Sequence, residues 1–228
     1  LAGAWAHSRL DPLLVQAIGL HDNAWREADE APRIDEATGL PYDFIDYPLD
    51  DKLAFYRRGI DQLEEVHPWV AHLISRHYTT FSGTREVDDL QRRENRRRAR
   101  LEERISRRRL DDDDALGWVK FFDIFSLHLC LTGPSAVPDS IPRWLTDSKA
   151  WSTAPDGLDL TVEWRGDTTL LVSPWPFVDD EMALDLHFRE LSERVDDQRR
   201  LVEAWEAAPR RRRRLTIASR SKRPSDAR

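Results

Sequence analysis

The period of the hydrophobic residues changes near Pro134, and that change restricts the fold more than any other feature. Before Pro134 the apolar residues recur every three or four positions, which is typical of helices that bury one face. Beyond Pro134, up to about residue 188, they alternate with polar residues in several short segments, which is typical of strands. The sequence therefore predicts an α+β fold, mainly α, in one domain over 1–208, with helices in 1–133 and a small antiparallel sheet and a last helix in 155–207.

Helical periodicity marks five stretches of the chain. Helices are predicted over 10–30, 53–81, 85–114, 116–131 and 187–207. Pro68 is expected to split the second stretch, because proline lacks the backbone donor and restricts the residue before it. The third stretch is dense in charge and predicts a long, solvated helix held by ion pairs on its surface, with a nucleic-acid-binding face as the alternative. The fourth is apolar on nearly all sides and predicts a buried helix.

Turn signals and alternating patterns predict the remaining elements. Residues 158–164 and 168–173 predict a β-hairpin that turns at Gly166, and residues 182–188 predict a third strand. Residues 31–48 contain three prolines and a glycine, so they predict an ordered loop without long regular structure.

Charge is distributed unevenly along the chain. The formal net charge is −7, yet residues 209–228 hold nine basic residues against one acid. A run of arginines without interleaved aromatic residues is weak support for nucleic-acid recognition. We therefore expect a basic, disordered tail over 209–228, an acidic body over 1–208, and no nucleic-acid partner.

Cysteine content and hydropathy indicate a compartment. The only cysteine, Cys130, cannot form an internal disulfide, which favours a reducing environment. No apolar stretch approaches the roughly 20 residues that a membrane-spanning helix needs. We expect a cytoplasmic protein without a membrane partner. Because the chain starts at Leu1, we also expect that a segment upstream is missing.

Four residues on three predicted helices carry the strongest chemical signal. His21 and Asp22 are adjacent, His77 ends an apolar helical face, and Asp123 lies in the middle of the apolar helix. A buried carboxylate is unfavourable unless a cation or hydrogen-bond donors compensate its charge. Imidazole nitrogens and carboxylate oxygens together are ligands for divalent metals. These residues are candidate metal ligands, with an N-cap or a salt bridge as the alternative for Asp123.

The other histidines fit this cluster less well. His67, His72 and His77 are five residues apart, so on a helix successive side chains point roughly 140° apart and cannot all face one metal. His72 stays an alternative to His77, while His67, just before the proline, is expected to be structural. His128 lies five residues after Asp123 and is expected to be a core histidine.

Five motifs along the chain resemble one known family. In chain order they read AIGLHDNAWREAD, TGLPYDF, LISRHY, FFDIFSL and PWPF. They resemble the domain-of-unknown-function family numbered 3891, which is similar to the HD-domain metal-dependent phosphohydrolases. The resemblance implies an HD-domain-like helical core within 1–208.

The resemblance also assigns roles to the candidate ligands. His21 and Asp22 match the HD pair. Asp123 matches the closing aspartate, and His77 matches an additional histidine of two-metal members. A first histidine is implied before the start of this sequence, and His7 falls too late in the chain to replace it.

The function that the resemblance implies is a metal-dependent hydrolase acting on a phosphate ester of a small molecule. A divalent metal, with Mn, Fe, Mg and Zn all open, would activate water for attack on phosphorus. Asp22 would take part in catalysis as a ligand, and Asp29 would orient His21 or bind a metal-coordinated water. Arg26, with Arg76 as the alternative, would neutralise the substrate oxygens.

Two further functions are compatible with the same residues. HD-like scaffolds resemble those of di-iron oxygenases, and the same ligands do not exclude iron. A catalytically degenerate HD-like binding module is the third hypothesis, in which the basic tail contacts nucleic acid or an acidic partner.

Overall fold

The computed structural model of the protein describes residues 1–80, 84–110, 114–133, 141–146, 152–191 and 193–221. Within these ranges the helices are α1 (Pro12–Leu20), α2 (Arg26–Glu30), α3 (Leu49–Val66), α4 (Pro68–Tyr78), α5 (Arg85–Glu102), α6 (Arg107–Leu110), α7 (Asp114–Leu131), α8 (Arg143–Thr146) and α9 (Gln198–Ala207). The strands are β1 (Ile34–Asp35), β2 (Leu40–Pro41), β3 (Thr161–Arg165), β4 (Thr169–Ser173), β5 (Glu181–Phe188) and β6 (Arg211–Ser219). The predicted α+β class is confirmed.

The chain divides into two compact units, each built from segments that are distant in sequence. The first unit comprises Leu1–Gly19, Asp112–Leu186 and Arg213–Arg228, and the second comprises Leu20–Asp111 and His187–Arg212. The first unit contains α7 and most of a four-stranded sheet, and the second contains α2 to α6 and α9. The single HD-like domain predicted over 1–208 stays a prediction.

The first unit is organised around the indole of Trp5. Its ring packs edge-on against four other rings, with centroids 5.3 to 5.7 Å apart. These rings belong to Trp118, Phe121, Phe122 and Phe177. Such packing brings the positive ring edge to the negative face of its neighbour. The predicted apolar helix is confirmed as α7, whose aromatic residues are buried. No helix in the described residues is long and apolar enough to cross a membrane.

The four-stranded sheet has the order β3-β4-β6-β5. β3 and β4 form the predicted antiparallel hairpin, with Thr161 opposite Ser173, and the predicted third strand is confirmed as β5. β6 runs parallel to β4, with Thr169 opposite Thr216, so the prediction of an antiparallel sheet is wrong for this pair. The chain reaches β6 through α9 and not through a tight hairpin, and such a connection lets a strand enter in the same direction as its neighbour.

β6 lies in the stretch that the sequence predicts as a disordered tail. That prediction is wrong for Arg211–Ser219, while the last seven residues lie outside the described part of the chain. The side chains of Leu215 and Ile217 are fully buried. Their alternation with polar residues is the strand signal, and the run of arginines before them conceals it in the sequence.

Pro68 divides two long helices of the second unit, as predicted. α3 ends at Val66, and α4 begins at Pro68, where a missing N–H leaves no helical bond unmade. His67 caps α4, because its Nδ1 accepts a hydrogen bond from the backbone N–H of Trp69 at 3.1 Å. The expectation that His67 is structural is confirmed.

α5 differs from the solvated helix that its charge density predicts, because one side of it is buried. Glu94 is fully buried and Arg97 nearly so. The Arg97 guanidinium contacts Glu94 at 3.0 Å and Glu64 of α3 at 2.6 Å, and the Ser75 hydroxyl of α4 donates to Glu94 at 3.0 Å. Burial lowers the pKa of Arg97, but the hydrogen bond to Asp61 and the nearby carboxylates outweigh burial and raise it.

Three predicted helix boundaries are wrong. The structure ends or starts these helices at Leu20, Glu102 and Gln198 instead of at 30, 114 and about 187. Residues 187 and 188 extend β5, and Asp197 caps α9 by accepting a hydrogen bond from the N–H of Arg200 at 2.9 Å. Apolar periodicity continues across each break, so it does not mark where the backbone hydrogen bonds stop.

The predicted loop over 31–48 holds the two-residue strands β1 and β2, followed by the start of α3 at Leu49. Gly39 between them has a φ of +69°, and a Cβ at this position would lie 2.8 Å from the carbonyl oxygen of Val195. Both the backbone conformation and the close approach therefore require glycine.

Gly59 on α3 allows close approach of the 3-10 turn formed by Asn23–Trp25. A Cβ at Gly59 would lie 2.7 Å from the Cβ of Ala24 and 3.0 Å from its Cα. We expect Gly59→Ala to lower the free energy of unfolding by about 1–3 kcal/mol, since this overlap outweighs a gain in helix propensity of about 1 kcal/mol. Urea denaturation measures the change.

Gly19→Ala is the matched control for this substitution. Gly19 is helical, and apart from its chain neighbours and the backbone of its own helix no atom lies within 4 Å of the position its Cβ would take. We expect Gly19→Ala to raise the free energy of unfolding by up to about 1 kcal/mol. Equal stabilisation by the two substitutions would show that the close approach at Gly59 is unimportant.

His128 on α7 makes the stability of the protein depend on pH. Partial burial lowers the pKa of His128 from 6.5 to about 4. Between these values the unfolded chain binds more protons than the folded chain, so the free energy of unfolding decreases as the pH falls from about 6.5 to about 4, by up to about 3 kcal/mol. We expect His128→Gln to remove this part of the pH dependence, measured by denaturation across that range. Exposed His187→Gln is the control and should leave the curve unchanged; an unchanged curve for His128→Gln would contradict the prediction.

Candidate metal centre

His21 and Asp22 form the turn that follows α1. His21 is buried, whereas the side chain of Asp22 is 55% exposed. The backbone carbonyl of Asp22 accepts a hydrogen bond from the N–H of Trp25 at 3.0 Å and starts the turn Asn23–Trp25. The change of direction ends the helix and leaves an imidazole and a carboxylate side by side.

Tyr78, the last residue of α4, holds this turn in place. Its hydroxyl donates a hydrogen bond to the backbone carbonyl of His21, and both residues are buried. The Tyr78 ring stacks on that of Tyr56 from α3, with centroids 4.2 Å apart and planes 11° apart. A buried carbonyl that loses its donor is destabilising, so Tyr78 ties the His21 backbone to α4.

α4 also brings His77 close to His21. The two imidazole rings lie edge to face with centroids 5.7 Å apart, and His21 Nε2 lies 3.2 Å from Asp22 Oδ2. His72, the alternative to His77, instead contacts Glu102 through its Nε2 at 3.2 Å. Within the second unit, the structure therefore brings the predicted ligands His21, Asp22 and His77 together.

The charge of the cluster follows from these contacts. Burial raises the pKa of Asp22, but the hydrogen bond from His21 and the imidazoles of His21 and His77 outweigh burial and bring it below its usual value. Partial burial and the charge of Asp22 raise the pKa of Asp29 on α2. A low pKa keeps Asp22 anionic and able to bind a cation, and a raised pKa makes Asp29 a better proton acceptor.

The spacing of these donors fits a divalent metal. Metal–ligand bonds of about 2.1 Å at tetrahedral or octahedral angles place neighbouring donor atoms roughly 3.0–3.4 Å apart. The 3.2 Å between His21 Nε2 and Asp22 Oδ2 lies within that range, and a metal bound there would replace the proton that the two atoms share in their hydrogen bond. Two imidazoles with a carboxylate suit Mn, Fe and Zn better than Mg, which prefers oxygen ligands.

Arg26 and Asp123 are the remaining predicted site residues. Arg26 is exposed and donates a hydrogen bond to the side chain of Asn23 at 2.7 Å. Asp123 lies on α7 in the first unit and is half-buried, not fully buried as its apolar neighbours in the sequence predict. The role of Arg26 toward substrate and that of Asp123 as a ligand stay predictions.

Comparison with known proteins identifies the family. The model of the family described as "Protein of unknown function (DUF3891)" matches residues 1–193. The chain belongs to the DUF3891 family. No curated protein and no solved structure matches it. All four candidate ligands of this DUF3891 protein lie within the matched region.

Two residues that position the cluster in this DUF3891 protein escaped prediction from sequence. Tyr78 reaches a backbone carbonyl 57 positions away, and its adjacency to His77 gives no sign of that contact. Gly59 offers a weak signal, since a glycine inside a helical pattern often marks a close approach of another element.

We expect Tyr78→Phe to lower the free energy of unfolding by about 1–3 kcal/mol, because the buried carbonyl of His21 loses its donor. Affinity for a divalent metal should fall about tenfold or more, since hydrogen bonds that orient a ligand commonly have effects of this size. Denaturation and metal titration measure the two effects.

Tyr42→Phe is the control for the Tyr78 substitution. The Tyr42 ring packs on that of Tyr47 with centroids 5.6 Å apart, and phenylalanine preserves this contact. We expect neither stability nor metal affinity to change. If Tyr78→Phe lost stability but bound metal as tightly as the wild type, Tyr78 would be structural only.

Proposed function

We propose that this DUF3891 protein is a metal-dependent phosphohydrolase with an HD-like helical core. The observation that carries the proposal is the cluster of His21, Asp22 and His77, in which two imidazoles lie beside a carboxylate of lowered pKa. The resemblance of the sequence motifs to the HD-domain enzymes supplies the reaction class. A single cysteine in the whole sequence supports a reducing, cytoplasmic location within the same proposal.

In this proposal His21, Asp22 and Asp123 bind the first divalent metal, and His77 serves a second. His21 and Asp22 are included as ligands because His21 Nε2 and Asp22 Oδ2 lie 3.2 Å apart. Asp123 is included as a ligand because, by the resemblance of the motifs, it matches the closing aspartate of the HD-domain enzymes. The nitrogen-rich donor set favours Mn, Fe or Zn over Mg.

When bound, a divalent metal lowers the pKa of a coordinated water and offsets the charge that develops on a phosphate group. Tyr78 fixes the backbone that carries His21. Asp29, whose pKa is raised, accepts a proton from the attacking water and releases it to solvent, to which it is exposed. The Arg26 guanidinium binds the non-bridging oxygens of the substrate.

The substrate in this proposal is a small phosphorylated molecule. More than half of the Asp22 side chain is open to solvent, which leaves room for water and a phosphate beside the ligands. Substrate specificity would come from groups around this opening, and a phosphate ester is the chemical class that the ligand set and Arg26 would recognise together.

Metal content and phosphatase activity of matched variants test the proposal. We expect the wild-type protein, purified without added metal, to retain a divalent metal and to hydrolyse p-nitrophenyl phosphate or its diester. His21→Ala, Asp22→Asn and Asp123→Asn should each lose metal and reduce kcat/KM by about 100-fold or more. Asp22→Asn preserves shape at an exposed position, so its fold is retained. Exposed His187→Ala is the control and should change neither quantity.

Elemental analysis separates the alternatives. Unchanged metal content in all three ligand variants would overturn the proposal. Loss of metal in His21→Ala and Asp22→Asn but not in Asp123→Asn would remove Asp123 from the site. Bound iron with oxygen consumption and no hydrolysis would identify an oxygenase instead.

A further inference from the structure

A groove on the second unit is lined mainly by arginines of α5. Its lining residues come from α3 and α5 and are Asp61, Glu64, Arg93, Arg96, Arg97 and Arg100. The groove is open to solvent and has a volume of about 330 Å³. We call it the arginine groove.

The two carboxylates of the arginine groove already have partners. Asp61 and Glu64 both contact the buried guanidinium of Arg97, and Glu64 also contacts Arg100 at 2.8 Å. Arg97 is fully engaged, since Glu94 accepts from its Nε. Four guanidinium groups are therefore set against three carboxylates, those of Asp61, Glu64 and Glu94, which leaves a net positive charge at the groove.

The excess lies on Arg93 and Arg96, both of which are exposed. The nearest carboxylate to Arg93 is that of Glu94, at the outer limit of an ion pair at 4.0 Å. No residue in the described ranges forms an ion pair or hydrogen bond with the Arg96 side chain. Residues 93, 96 and 100 are spaced by three and four, so they share one face of α5.

This positive charge is local. Residues 92–109 carry ten arginines against three acids, in a chain whose net charge is −7. Arg92 and Arg100 of α5 form ion pairs with Asp89 and Glu64, whereas Arg96 has none in the described ranges. Like charges at helical spacing destabilise a helix, and an anion bound between them would offset that repulsion.

We infer that the arginine groove binds a compact oligophosphate, the di- or triphosphate group of a small molecule, through Arg93, Arg96 and Arg100. Guanidinium groups bond phosphate oxygens in pairs, with a geometry that suits phosphate better than a point charge does. The three arginines extend over two helical turns, about 10 Å, which suits a short row of phosphates. No aromatic side chain is among the lining residues, so the groove offers no surface on which nucleic-acid bases stack.

Calorimetric titration of the full chain with inorganic tripolyphosphate, in chelator-treated buffer, tests the inference. The wild type should bind with one-to-one stoichiometry, and the double variant Arg93→Gln/Arg96→Gln should bind about 30-fold or more weakly. Arg96→Lys keeps the charge but loses the paired bonds, so its affinity should be intermediate. Arg199→Gln on α9 is the control, because Arg199 is an arginine with a 79% exposed side chain that does not line the groove. It should bind like the wild type.

The arginine groove does not depend on the proposed metal centre, and one variant separates the two. His21→Ala should bind tripolyphosphate as tightly as the wild type, whatever its effect on hydrolysis. Absence of binding by the wild type, or equal affinity in the double variant at an unchanged melting temperature, would overturn the inference. Binding of duplex DNA without binding of tripolyphosphate would also overturn it and assign the surface to nucleic acid.

Discussion

The buried contact between Arg97 and Glu94 is the interaction on which the helical arrangement of the second unit depends. Glu94 has no exposed surface, and it accepts hydrogen bonds from Arg97 on its own helix and from Ser75 on α4. Arg97 extends the network to Glu64 on α3. Removing one partner from such a network leaves a buried charge uncompensated, which typically destabilises a protein by about 3–5 kcal/mol. A polar network, and not apolar packing alone, thereby fixes the positions of α3, α4 and α5 relative to one another.

The position of the candidate metal centre depends on how α3 and α4 are placed relative to each other. α4 carries His77 beside Tyr78, and Tyr78 fixes the backbone of His21. α3 carries Gly59, whose missing side chain admits the turn after Asp22. The candidate ligands are thus placed by residues that have no metal-binding chemistry themselves. α5 serves a second purpose, because its inner face holds the helices together while its outer face forms the arginine groove.

Local patterns predicted the elements in which one physical cause dominates. Pro68 split two helices, the apolar run became α7, and alternation with Gly166 produced the β3–β4 hairpin. Prediction failed where a distant partner changes the outcome. The charges of α5 predicted a solvated helix, because sequence alone does not show that Glu94 has partners on another helix. The arginines before Leu215 concealed a strand whose backbone bonds come from β4 and not from its neighbours in sequence.

The sequence by itself determined which residues are chemically able to act, namely adjacent His21 and Asp22, a histidine at a helix end, and a carboxylate within an apolar helix. It also determined the α+β class, because hydrophobic period is a local property of the chain. Only the tertiary structure decided that His77 and not His72 faces His21, and that Tyr78 holds the turn formed by His21 and Asp22. The physical reason is that ring contacts and buried hydrogen bonds join residues more than fifty positions apart, and their formation depends on how whole helices pack.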